Sequence, residues 1–267
     1  MSIVTINNKS PLRYPGGKTR ACKKLDEILQ QHFTLTEYNT LLSPFFGGGS
    51  FEFFLQNKYK LNIIGNDKFK PLYTFWNTCK TNKQNLVKKL YDCKDVTKSD
   101  FANYRDKILE ETNNLTQAYY YFIINRCSFS GATLSGGFSK EASKKRFTES
   151  SIDRINSLSL ENFQIYNKDF SDFISEYSSQ QNTLMFLDPP YYLEKGSKLY
   201  GTKGDLHETF EHDILFEIIK DKQNWLLTYN DCEYIRNKYK DFTILEVDWA
   251  YGMNKSKKSS ELVIINC

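Results

Sequence analysis

The sequence predicts an α/β protein with a mainly parallel sheet covered by helices on both sides and a helical segment inserted near its middle. Three observations carry this expectation. Short apolar runs alternate with helical patterns over much of the chain; the alternation stops between Thr78 and Ile155; and only the loop-like stretch AYGMNKSKKSS separates the last two apolar runs.

Runs rich in Leu, Ile, Val, Phe and Trp, bounded by turn residues, read as strands. They fall at residues 40–45, 61–67, 163–170, 183–188, 225–230, 242–249 and 261–266. Helical patterns follow the first run at 51–56 and the second at 71–80. Another follows the fourth at 209–222, with Phe210, Ile214, Leu215 and Ile218 on one face, and one follows the fifth at 232–240. The final pair, joined by a short loop, predicts a terminal hairpin and hence one antiparallel strand. Helices are expected at 83–91, 100–111 and 115–125 in the insertion, so the chain divides into a principal domain of residues 1–77 and 156–267 and an inserted subdomain of 78–155.

A chain of 267 residues with 40% hydrophobic and 25% charged residues can bury a sizeable core. No apolar run approaches the roughly 18 residues of a membrane span, and MSIVTINNKSPLRY is too polar for a signal peptide. The protein is expected in the cytoplasm, of a bacterial cell or of a virus-infected host cell, with no membrane partner. Six cysteines without a C-x-x-C pair, and three histidines without matching spacing, favour reduced thiols over disulfides or zinc. Net charge is +4, and residues 76–154 hold 14 Lys and Arg against 9 Asp and Glu, so the insertion carries the positive excess. A solvated helical face and a nucleic-acid surface both account for that.

Four short stretches bear chemistry. In LMFLDPPYY an apolar strand stops at Asp188 because proline cannot donate to a sheet ladder, which leaves a carboxylate at a strand end before a rigid turn. SPFFGGGSFEF places glycines between a strand and a helix, where ligands approach the backbone in open α/β sheets, although the full G-x-G-x-x-G spacing is absent. Asp67 ends the next strand about 20 residues on, suited to ribose hydroxyls or to capping a helix. RYPGGKTR contains GGKT, but a P-loop would need glycine at Leu12 and a preceding strand.

In this order RYPGGK, PFFGGGSFEF, an acid-ended second strand, NKDF and DPPY resemble the Dam-like DNA adenine methyltransferases, of the alpha order among amino-methyltransferases. The resemblance covers nearly the whole chain and is weakest in the insertion. It implies a Rossmann-like S-adenosylmethionine-dependent methyltransferase fold, a catalytic principal domain and an inserted DNA-recognition subdomain. The cofactor is then S-adenosylmethionine, with no metal, and the substrate double-stranded DNA; a cognate restriction endonuclease acting on the same site is an implied partner. Tyr14, Lys18, Phe45, Gly47, Gly49, Asp67, Asp169, Phe170 and Asp188 match cofactor-binding positions, and Arg13 a position that touches DNA. Ser43 departs from the pattern, because relatives often carry an acid there.

Asp188, Pro189, Pro190 and Tyr191 are the expected catalytic residues. An exocyclic aryl amine is a poor nucleophile because its lone pair is delocalised, so hydrogen-bond acceptors must draw it towards tetrahedral geometry. The Asp188 carboxylate and Pro189 carbonyl supply such acceptors, Tyr191 a ring for stacking on a flipped base, and the proline pair a fixed turn. Within NRCSFSGATLSGGFSKEASKKRF, Lys144, Lys145 and Arg146 are expected on phosphates and Arg126 and Ser128 at base edges. Lys255, Lys257 and Lys258 are further candidates for DNA. The alternatives are an amino-methyltransferase acting on cytosine N4 or on RNA, and a catalytically silent DNA-binding subunit with the same fold. Asp rather than Asn before P-P-Y weighs against protein glutamine.

Overall fold

The computed structural model describes residues 7–14, 16–93, 95–192, 210–249 and 259–267. Lys255, Lys257 and Lys258 lie outside them. One seven-stranded sheet has the order β3-β2-β1-β4-β5-β7-β6, built from β1 (Thr40–Ser43), β2 (Asn62–Asn66), β3 (Phe163–Tyr166), β4 (Thr183–Leu187), β5 (Trp225–Asn230), β6 (Thr243–Trp249) and β7 (Ser259–Asn266). Strands β1 to β5 pair in parallel, whereas β7 runs antiparallel to both β5 and β6. The expected antiparallel strand is therefore β7.

Both faces of the sheet are buried, and the period-2 alternation of a strand assigns each side chain to one of them. Leu41, Leu184, Phe186, Leu226 and Val263 pack with α1 (Cys22–His32) and α2 (Ser50–Tyr59). Their neighbours Leu42, Met185, Leu187, Leu227 and Ile264 pack instead with α9 (Phe170–Tyr177) and α10 (His212–Ile219). Among the described residues a further helix, α11 (Glu233–Lys238), adds Ile235 to the second face. Each such Leu, Ile or Phe contributes roughly 1.5–3 kcal/mol by leaving water.

Between β2 and β3 the chain forms α3 (Lys70–Thr81), α4 (Lys83–Asp92), α5 (Lys98–Lys107), α6 (Asn114–Cys127), α7 (Lys140–Lys145) and α8 (Glu149–Asn156). These helices share a core with the sheet edge: Phe75, Trp76, Phe122, Ile152 and Ile155 cluster with Phe46, Phe53, Ile63 and Phe163. Helix α3 itself runs through residues 77 and 78.

Several boundaries differ from expectation for local reasons. β1 stops at Ser43 because Pro44 follows. β3 stops at Tyr166, since the Asp169 carboxylate accepts the Ser171 N–H at 3.0 Å and so starts α9 at Phe170, where a strand was expected. Helix α1 was not foreseen either. Of the expected apolar face, Leu215 is core and Phe210 and Ile218 pack against it, whereas Ile214 is exposed and Ile219 takes a core place instead. No helix among the described residues is long and apolar enough to cross a membrane.

Candidate active site

The five parallel strands end on one edge of the sheet, and their order reverses between β1 and β4. That reversal opens a crevice beyond the strand ends, where open α/β sheets take ligands. Antiparallel β7 begins at the same edge, with Glu261 opposite Asn230 at the end of β5.

Asp188 follows β4 directly. Lys18, just past a turn closed by the Gly17 N–H donating to the Tyr14 carbonyl at 3.0 Å, points its ammonium at that carboxylate. Lys18 Nζ donates to Asp188 Oδ1 at 2.7 Å and Oδ2 at 2.9 Å, to the Tyr191 hydroxyl at 3.0 Å and to the Gly16 carbonyl at 3.2 Å. Thr228, on β5, donates to Asp188 Oδ1 at 2.6 Å. The Tyr191 hydroxyl in turn donates to Glu261 Oε2 at 2.6 Å, and Glu261 Oε2 lies 4.0 Å from Lys18 Nζ. Lys18 and Glu261 are 4% and 2% exposed, whereas the Asp188 side chain keeps 22% of its surface. Buried charges of this kind persist only when paired and hydrogen-bonded, and here one lysine serves two carboxylates. The Asp188 carboxylate is pinned from inside and open outwards.

A third carboxyl stands behind this group. Ser43 Oγ donates to Glu52 Oε1 at 2.8 Å, and both residues are buried. Burial pushes the Glu52 carboxyl up to about 8; Ser43 and Lys18 oppose the rise, and Asp188 adds to it. The acid absent at position 43 thus has a neighbouring counterpart on α2.

The glycine loop is shaped by its neighbours. Gly47 and Gly49 have φ of 50° and 65°, values that favour glycine, and a Cβ on Gly47 would meet the Tyr14 ring at 2.9 Å. Trp76 Nε1 donates to the Gly47 carbonyl at 3.0 Å. The Gly47 N–H donates to Asp67 Oδ2 at 3.0 Å and the Phe69 N–H to Oδ1 at 2.9 Å. Burial raises the Asp67 carboxyl to about 6 against those two bonds. Phe45 lies 5.6 Å from Phe170 and 5.5 Å from Phe210, ring centroid to centroid. At Asp169 burial is outweighed by the Lys68 ammonium at 2.8 Å and by Ser171, which leaves the carboxyl below its ordinary range.

Of the positions expected around a cofactor, Tyr14, Gly47, Gly49 and Asp67 adjoin one another at the ends of β1 and β2, with Phe45, Phe170 and Asp169 beside them. Lys18 sits instead against Asp188 and Tyr191. The expected DNA residues divide. Lys144, Lys145 and Arg146 are exposed on or just after α7, with Lys145 paired to Glu141 at 2.9 Å. Arg126 is buried and donates from Nε to the Arg146 carbonyl at 2.6 Å and from Nη1 to the Pro11 carbonyl at 3.1 Å. Ser128 is fully buried, its hydroxyl donating to the Asn125 carbonyl at 3.3 Å. Neither side chain is presented at the surface: Arg126 ties the loop to the N-terminal segment through Pro11, and Ser128 closes back on the end of α6. Arg13 is half-buried; Asn125 brackets its backbone with bonds of 2.9 and 2.6 Å, and its Nη1 donates to the Ser128 carbonyl at 3.2 Å. No group of three or more His, Cys, Asp or Glu among the described residues is arranged to hold a metal.

Sequence reasoning missed Thr228, Glu52 and Glu261. A signal existed for Glu261, since ELVIIN is an apolar strand headed by a lone acid, the mirror image of LMFLD.

A sheet of this order, with β7 antiparallel and an aspartate-headed Pro-Pro-Tyr turn at its edge, has the fold of the S-adenosylmethionine-dependent methyltransferases. Residues 14–253 match the model of the D12 class N6 adenine-specific DNA methyltransferases. The chain belongs to that family and is a DNA methyltransferase. It is also similar to the Type II methyltransferase M.MjaIII of Methanocaldococcus jannaschii, at 24% identity over 199 residues that cover 67% of this chain and 68% of the relative.

Proposed function

We propose that the protein transfers the methyl group of S-adenosylmethionine to the N6 amine of a flipped-out adenine at a specific site in double-stranded DNA. The observation that carries this reading is the Asp188 carboxylate, anchored from within by Lys18 and Thr228 and open on its outer side. Bound S-adenosylmethionine supplies an electrophilic methyl on a sulfonium. The residues present suit its cationic sulfonium: among the described residues, the Asp188 and Glu261 carboxylates outnumber the one lysine, Lys18, buried beside them. Tyr14, Phe45, Gly47, Gly49, Asp67, Asp169 and Phe170 would hold the cofactor, with Lys18 and Asp188 at the same edge of the sheet.

On the acceptor side, Asp188 takes a hydrogen bond from the amine and draws its lone pair out of the ring. Lys18 keeps Asp188 oriented for that task. Pro189 and Pro190 hold the turn at no ordering cost per turnover. Tyr191 offers a ring for stacking, and a base reached in this way must leave the duplex. Arg13, Lys144, Lys145 and Arg146 face the phosphates. The likeness to a Type II methyltransferase supports a setting in restriction-modification, with a cognate endonuclease cutting the same sequence in the same cytoplasm.

The test is incubation with methyl-labelled S-adenosylmethionine and unmethylated DNA of varied sequence, followed by digestion to nucleosides. Label is expected in N6-methyladenine, and Asp188→Ala should abolish it while cofactor affinity is retained. Unlabelled adenine with cofactor bound would sink the reading. Label in cytosine, or RNA outcompeting DNA, would favour the other amino-methyltransferases.

A further inference from the structure

We infer that Glu261 is a positioning residue for the acceptor side, fixing the Tyr191 ring and Asp188 relative to each other through the Tyr191 hydroxyl and Lys18. The inference rests on the function proposed above, in which Asp188 and Tyr191 meet the target base.

Among the described residues the Tyr191 hydroxyl has partners of opposite kind: it donates to Glu261 Oε2 at 2.6 Å and accepts from Lys18 Nζ at 3.0 Å. Two bonds in different directions fix both the hydroxyl rotor and the tilt of the ring. Lys18 also lies 5.2 Å from that ring's centroid, so the ammonium braces the ring as well as its hydroxyl. Glu261 is the fixed end of this chain of contacts. It belongs to β7, opposite Asn230 on β5 and Val247 on β6, so its backbone is held from both sides. Tyr191 and Asp188 follow β4 in a turn and have no ladder of their own.

Charge gives Glu261 a second effect. Lys18 is shared between Asp188 at 2.7 Å and Glu261 at 4.0 Å. Neutralising Glu261 leaves the whole ammonium charge to Asp188, which tightens that ion pair and makes the carboxylate a poorer acceptor for the amine. The side chain thereby tunes the aspartate without touching the base. Cofactor affinity should be spared, because neither Tyr191 nor Glu261 belongs to the glycine-loop side of the crevice.

The test compares wild type, Glu261→Gln, Tyr191→Phe and their double variant in single-turnover methylation of unmethylated DNA, with Asp188→Ala as a control. S-adenosylmethionine affinity is measured by calorimetry on each. Glu261→Gln and Tyr191→Phe should each slow transfer by about 10- to 100-fold, the worth of one hydrogen bond to a charged group. The double variant should be no more than about 3-fold slower than the slower single one, as expected of residues acting as a unit, with cofactor affinity within about the same factor. Glu261→Asp, which keeps the charge, should recover part of the rate. A wild-type rate in Glu261→Gln, losses that multiply in the double variant, or a parallel loss of cofactor affinity would overturn the inference. So would unfolding of both Glu261 variants, which marks a purely structural residue. A wild type that methylates while Asp188→Ala does so equally would refute the reading of the site, and a wild type without labelled adenine would remove both.

Discussion

Lys18 at the sheet edge and Arg126 at the end of α6 are both buried cations, yet their surroundings differ in kind. Lys18 meets Asp188 directly, with Glu261 and Glu52 nearby. Arg126 donates to two backbone carbonyls, and among the described residues it has no ion pair. Burial, together with Arg13, Arg154 and Arg146, pushes its guanidinium down to about 10. Carboxylates fix a cation's position and cancel its charge, whereas carbonyls fix the position and leave the charge in place. One region is therefore organised to orient a few atoms, and the other holds a positive charge that its backbone partners leave uncancelled.

The largest effect is expected at the sheet edge. Lys18→Met takes this cation from Asp188 and from the buried Glu261, which costs about 3–5 kcal/mol of stability and should reduce methyl transfer to background. Denaturant unfolding and the labelled-DNA assay check the two parts, and a stable, active variant would erase the contrast between the regions. In the loop, Arg126→Met removes two charged hydrogen bonds and should lower unfolding free energy by about 2–3 kcal/mol. Lys144→Ala, exposed on α7, should stay within about 0.5 kcal/mol of wild type but flatten the salt dependence of DNA binding. If Arg126→Met instead matches Lys144→Ala in both measurements, the arginine works at the surface and the carbonyl contacts are incidental.

A further effect is a pH dependence. Folded Glu52 has its pKa raised to about 8 against an ordinary 4.5, so the native state binds this proton more tightly than the unfolded chain. Its stability contribution is full below about 4.5 and is lost as pH rises through about 8. Glu52→Gln carries no such proton. Its melting temperature relative to wild type should therefore shift in the variant's favour between about pH 5 and pH 8, and a constant difference would place Glu52 in a more polar setting.

Local signals were the readable ones. The Asp188 turn, the glycine loop and the strand alternation each declare themselves within a few residues, and the structure places them on one edge. The stretches NWLLTYND and ELVIIN resemble family motifs of the target pocket, but which of their residues reach Asp188 and Tyr191 depends on register across β4, β5 and β7. Arg126 and Ser128 were assigned to DNA by residue type in a basic, glycine-rich loop, and burial reversed the inference. Asp169 hid α9 in a similar way: Phe170 beyond it extends the strand reading, while the capping geometry that starts the helix is visible only in three dimensions.

Strand β7 has one more consequence, and it concerns time. It comes after the other six strands in the chain, yet it lies between β5 and β6 and delivers Glu261 to the crevice. During synthesis the glycine loop, Lys18 and the Asp188 turn all emerge first. The sheet stays divided, and its outermost strand unattached, until β7 slides into the gap. Before β7 is in place the crevice lacks Glu261, so the site is completed only by the strand that holds the two parts of the sheet together.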